Sequence, residues 1–106
     1  MTADTISSTD HGIIFLMAQW SGGAKVAHRQ LIEFLRRRGI PPERLTCVDL
    51  DRNPAVYDVA EFSGKIHGWG EAAVVNNGRI TFFTVLGRDQ ARIDERCEDL
   101  LRAYEA

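Results

Sequence analysis

At 106 residues the chain has room for one domain and one core, which excludes a two-domain arrangement. Hydrophobic residues make up 44%, charged residues 26%, and the formal net charge is −2, a balance that excludes a disordered tail or a fibre and names no partner. No apolar run approaches the roughly 18 residues of a membrane span, and the start lacks the basic and apolar regions of a signal peptide. The expectation is a soluble cytoplasmic chain of bacterial type. Cys47 and Cys97 stand alone, far apart in sequence, so they predict neither a zinc site nor a disulfide scaffold.

Residues 1–12 are rich in Ser, Thr and Asp around a single Ile6, which predicts a flexible tail ahead of a domain spanning 13–106. The apolar run from Ile13 to Ala18 reads as a strand buried on both faces. After Ser21, Gly22 and Gly23 the period changes. Ala27, Leu31, Phe34 and Leu35 then share one helical face and Lys25, Arg29, Glu33, Arg36 and Arg37 the other. Gly39 ends this helix and Pro41-Pro42 prevents its restart.

Leu45 to Leu50 predicts a second strand, and Asn53-Pro54 predicts a capped short helix ending near Gly64. Two apolar runs around Asn76-Asn77-Gly78 predict a β-hairpin. Asp89 is placed to cap a last helix with Ile93, Cys97, Leu100, Leu101 and Tyr104 on one stripe. The order is β-α-β-α-β-β-α. A right-handed crossover makes the first two strands parallel and the hairpin adds antiparallel ones, which predicts an α/β fold with a mixed four-stranded sheet flanked by helices.

Trp20-Ser21-Gly22-Gly23-Ala24-Lys25, between a buried strand and a long helix, resembles the Trp-Cys-Gly-Pro-Cys-Lys motif of the thioredoxin superfamily. The resemblance continues through Asp51-Arg52-Asn53-Pro54 and Asn77-Gly78 and covers roughly residues 13–104, without the N-terminal strand and helix of full-length thioredoxins. It implies a minimal thioredoxin-like fold. It also implies that Ser21 and Ala24 stand where the family has its two cysteines. Dithiol exchange needs a thiolate at the helix N-terminus and a second thiol to resolve the mixed disulfide, and neither serine nor alanine supplies one.

The resemblance further aligns Phe15 with the family's buried proton-handling Asp and Gly70 with its cis-proline. Laboratory removal of two thiols would not alter those positions, so a natural redox-inactive branch is the expectation, with no cofactor and no catalytic residue.

In this fold Trp20 and Ser21 lie beside the loop Ile66-His67-Gly68-Trp69-Gly70-Glu71, so two tryptophans would flank one groove that in the family accepts extended peptides. The expected site is Trp20, Ser21, Gly22, Gly23, Lys25, His67, Trp69 and Gly70, and the expected partner a protein or peptide. Each has a plainer alternative: Trp20 and Trp69 as packing residues, and the glycines as a turn that lets the helix begin. A second functional reading is a non-redox small ligand, glutathione or an anion, held by Ser21 and the amides of the helix N-terminus.

His67 could act as a base toward Ser21, but no acid is placed by sequence to orient it, and a surface role outweighs that reading. His11 and His28 read as solvated, and the three histidines lack metal-ligand spacing. Residues 25–44 carry net +4 and residues 89–106 net −3. Arg36-Arg37-Arg38 at a helix C-terminus is explained by the helix dipole, and the overall negative charge disfavours nucleic acid. A shortened fold leaves a sheet edge or helix face open to a second copy, so a homodimer stays open as a reading.

Overall fold

The computed structural model describes residues 6–106. Strand β1 is His11–Met17, followed by helix α1 (Gly22–Arg37), β2 (Leu45–Asp49), β3 (Glu71–Asn76), β4 (Arg79–Val85) and helix α2 (Ile93–Glu105). The sheet order is β2-β1-β3-β4, with β2 parallel to β1 and both later pairings antiparallel. The central pair, β1 and β3, is buried along almost its whole length, as the unbroken run Ile13 to Ala18 requires.

Helix α1 buries Ala24, Ala27, Leu31, Phe34 and Leu35, the stripe read from the sequence, and α2 buries Ile93, Cys97, Leu100, Leu101 and Tyr104. Phe15 points to the α1 side, its ring 5.1 Å from that of His28. On the opposite face, Phe62 packs 5.6 Å from Phe83. The hairpin turns on Asn77 (φ 52°) and Gly78 (φ 77°), two successive left-handed residues whose twist matches that of the flanking strands.

Four expectations are corrected. Residues 6–12 are not a free tail: Ile6 is buried in the core, and Asp10 and Thr9 accept hydrogen bonds from Asn77 N and Gly78 N at 2.6 and 2.8 Å. One apolar residue suffices because the hairpin turn offers two unpaired amides that the incoming chain satisfies. Residues 1–5 of the expected tail lie outside the described residues.

His11 belongs to β1, and its ring stacks on Tyr104 at 4.1 Å with Nε2 2.6 Å from the Tyr104 carbonyl oxygen. His28 is half-buried, and that burial lowers its pKa. The short helix after Asn53 is instead two 3-10 turns, Pro54–Asp58 and Ala60–Phe62. Asn53 does not cap the first of them. Its side chain donates to the Asp49 carbonyl at 2.9 Å, holding the end of β2 instead.

Both thiols are free, Cys47 exposed and Cys97 buried. Burial, reinforced by Asp94 and Glu98, pushes the Cys97 pKa up to about 12 from an ordinary 9.0. A thiol pKa raised by folding contributes stability that is fully present below the unfolded value and lost as pH rises toward the folded one. Between about pH 9 and pH 12 the unfolding free energy should therefore fall by roughly 1.4 kcal/mol per pH unit from this group. Urea melts of wild type and Cys97→Ala across that window test this: the slope should flatten in the variant.

Candidate functional site

The sequence break at Ser21-Gly22-Gly23 becomes the N-terminus of α1. Ser21 is the cap, in an extended conformation, and its hydroxyl accepts the Ala24 N–H at 3.2 Å. Only 9% of Ser21 is exposed, so its hydroxyl serves the helix before anything else. Gly22 is open to solvent and Lys25, on the first turn, is exposed.

The loop before β3 closes over this helix start. Glycines at 68 and 70 take φ of +80° and +81°, which places Trp69 between two left-handed turns. Trp69 comes to rest against Gly23, where a side chain's Cβ would lie 3.3 Å from ring atom Cε3. Gly87 completes the contact: its N–H donates to the Trp69 carbonyl at 2.8 Å, and a Cβ there would collide with the carbonyl oxygens of Trp69 and Gly23. Trp20 reaches over in the other direction. Its ring covers Gly68 so closely that a Cβ at 68 would lie 2.7 Å from Cζ2. Each tryptophan thus leans on a glycine of the opposite loop.

Both remain largely in solvent, Trp20 at 67% and Trp69 at 43% exposure, among the few large apolar side chains exposed on the described surface. The two tryptophans expected to flank one groove lie on adjoining loops, and neither is a core residue. Gly70 lies beneath them with its carbonyl accepting Leu86 N at 3.0 Å. It is pressed between the sheet and the helix: a Cβ would lie 3.0 Å from Ala27 Cβ, 3.1 Å from Phe15 Cζ and 3.2 Å from Ala24 Cα. His67 is exposed in the same loop, and its backbone N–H donates to Glu71.

The residue that sequence reading missed is Glu71. It opens β3 and is completely buried, opposite Leu16 and Val85 and on the sheet face away from Phe15. Its Oε2 accepts the N–H groups of His67 (2.8 Å) and Trp69 (3.3 Å), while Oε1 has no hydrogen-bond partner among the described residues. A buried carboxylate is tolerated where it accepts backbone amides, and here it ties the Trp69 loop to the sheet. The signal in the sequence was a lone acid leading an otherwise apolar strand, Glu71-Ala72-Ala73-Val74-Val75.

Replacing Glu71 with Ala leaves two amides without their acceptor, and we expect a loss of about 2–4 kcal/mol together with faster hydrogen exchange at the His67 and Trp69 amides. Exchange confined to global unfolding would contradict the local tether.

No thiol occurs at this site. Cys97 lies in the core and Cys47 on β2. Among the described residues no three His, Cys, Asp or Glu side chains converge as a metal site would need, and no helix is long and apolar enough to cross a membrane.

This architecture is a thioredoxin-like fold. Solved thioredoxins superpose on most of the chain. The oxidised mitochondrial thioredoxin 3 of Saccharomyces cerevisiae matches 93% of this chain and 87% of its own at TM-score 0.63 and 17% identity. A Plasmodium falciparum thioredoxin matches 92% and 89% at TM-score 0.66 and 18% identity. A Fasciola hepatica thioredoxin matches 93% and 88% at TM-score 0.61 and 13% identity. No protein-family model and no curated protein matches the sequence.

Proposed function

We propose that this chain is a redox-inactive thioredoxin-like binding module, recognising a protein or peptide through the surface of Trp20, Ser21, Gly22, Trp69 and Gly70. The observation that carries it is the pair of exposed tryptophans braced on opposite loops around a helix N-terminus that holds no cysteine. Two large aromatic faces in solvent cost solubility, and aromatic anchors are the usual centres of binding surfaces. Gly22, Gly23 and Lys25 form the floor beside them, and His67 the exposed rim. The two free thiols suit the cytoplasm, where they stay reduced.

The small-ligand reading at Ser21 has less support, because the hydroxyl already accepts the Ala24 amide. Three measurements test the reading and separate it from the ligand alternative. The wild type should not accelerate reduction of insulin disulfides by dithiothreitol. A peptide library selected on the wild type should yield binders that the folded Trp20→Ala, Trp69→Ala double variant no longer retains. Binders unaffected by the double substitution would place recognition elsewhere. Saturable shifts of the Gly22, Gly23 and Ala24 amides with glutathione or inorganic phosphate, without peptide binding, would favour the ligand reading.

A further inference from the structure

Strand β2 is the first strand of the sheet order, and among the described residues nothing pairs with its outer edge. Leu50 N donates to Met17 O, so by the alternation of a strand the even residues of β2 face β1 and Leu45, Cys47 and Asp49 turn their amides and carbonyls outward. Two of these six groups are already used: Leu45 N–H bonds to Pro42 O, and the Asp49 carbonyl accepts Arg52 N and the Asn53 side chain. Among the described residues, no partner takes Leu45 O, either backbone group of Cys47, or Asp49 N–H.

We propose that this edge is a homodimer interface in which β2 pairs antiparallel with β2 of a second copy, about a two-fold axis at Cys47. The free groups are self-complementary in that register and in no adjacent one. Cys47 exchanges both its backbone bonds with Cys47 of the second copy, and Leu45 O accepts Asp49 N–H in each direction, while the two groups already satisfied fall opposite each other.

The side chains favour the same alignment. Leu45, Cys47 and Asp49 share the α1 side of the sheet, where Leu45 and Cys47, with His28, Ile32, Leu35 and Arg36, line an apolar groove of about 500 Å³. The antiparallel register sets the Asp49 carboxylate of one copy opposite Leu45 of the other, beside the groove that Arg36, itself paired with Glu33, also lines. Ile32, exposed in the monomer, flanks the seam. A parallel pairing would set Asp49 against Asp49.

Sedimentation velocity tests this on the full chain. The wild type should reach twice the 11.9 kDa chain mass in a concentration-dependent way. Leu45→Glu sets a carboxylate opposite Asp49 of the second copy and should return the protein to monomer, with circular dichroism confirming the fold. Leu45→Glu combined with Asp49→Lys restores opposite charges in this register alone and should regain the dimer. A wild type that stays monomeric at all concentrations, a dimer indifferent to Leu45→Glu, or folded single and double variants that are both monomeric would each overturn the proposal. Loss of peptide binding in the tryptophan variant leaves this result unchanged, since Trp20 and Trp69 are not part of the edge.

Discussion

Substituting Phe15 with Asp, the residue type that the thioredoxin resemblance places there, should unfold the domain at neutral pH. Phe15 is wholly buried, beside His28 on α1 and under Gly70. Losing the ring costs about 3–5 kcal/mol, and an unpaired carboxylate in the space it leaves adds several more, against a total stability of about 5–15 kcal/mol for a domain. The pH sign follows from the burial. The carboxyl is disfavoured in its charged form by the apolar site, its folded pKa is raised, and the variant should regain stability as pH falls and the acid protonates. Phe15→Leu should cost far less. A Phe15→Asp variant that melts like the wild type at pH 7 would mean that position 15 is not sealed from water, and with it the packing beneath Gly70 would be in error.

Placing at position 70 the proline that the thioredoxin resemblance aligns there should fail for a different reason. Proline holds φ near −65°, and Gly70 sits at +81°. Even Gly70→Ala combines a left-handed residue, at about 1–2 kcal/mol, with overpacking against Ala24, Ala27 and Phe15, at about 1–3 kcal/mol. We expect the alanine variant to lower the melting temperature by roughly 10–20 °C, and the proline variant to be worse. Because Gly70 adjoins Trp69, the loss should be accompanied by a change in tryptophan fluorescence before global melting. An alanine variant within a degree of wild type would show that the loop relaxes freely around position 70.

These two expectations also explain why positions 15 and 70 differ together from the residues that the thioredoxin resemblance aligns there. With Phe15 filling the space beneath the loop, the backbone at 70 must come close to Ala24, Ala27 and the Phe15 ring, and only glycine leaves room for them. The bulky apolar residue below and the missing side chain above are complementary. Reversing one alone breaks the packing.

Glu71 extends the same logic to the other face of the sheet. Its carboxylate fastens His67 and Trp69 by their amides, so the loop is held from above by Gly87, from the side by Gly23 and from below by Glu71. The tryptophan is exposed but not loose. That is the state a recognition surface needs, since an ordered aromatic loses less entropy when a partner covers it.

Much of this is legible from residue order. The spacing of Ala27, Leu31, Phe34 and Leu35 names the buried face of α1 without reference to the sheet, because 3.6 residues per turn leaves no other stripe apolar. Asn77-Gly78 names the hairpin because few other dipeptides accept two left-handed residues in a row. Trp20-Ser21-Gly22-Gly23, placed between a buried strand and a helix, names the end of the sheet where a site would be. Each of these signals is local, and local signals survive in a single sequence.

Other features depend on what meets across the fold. Ile6 is an isolated apolar residue in a polar stretch and is nonetheless buried, because the hairpin turn supplies amides for Asp10 and Thr9 to accept. His11 has no partner nearby in sequence and stacks on Tyr104, 93 positions away. Glu71 is one acid among many in the sequence, and only the approach of the 67–69 loop shows why it is buried. The self-complementary edge of β2 likewise emerges only once Pro42 and Asn53 are seen to use two of its six outward groups. Residue order alone therefore specifies the elements, their succession and the absence of thiols at the helix start, since periodicity, turn chemistry and residue identity act over a few positions. How the two tryptophans brace each other's loops, and which buried groups hold them, is set by the packed fold, because those contacts join segments whose separation in sequence carries no trace of their meeting.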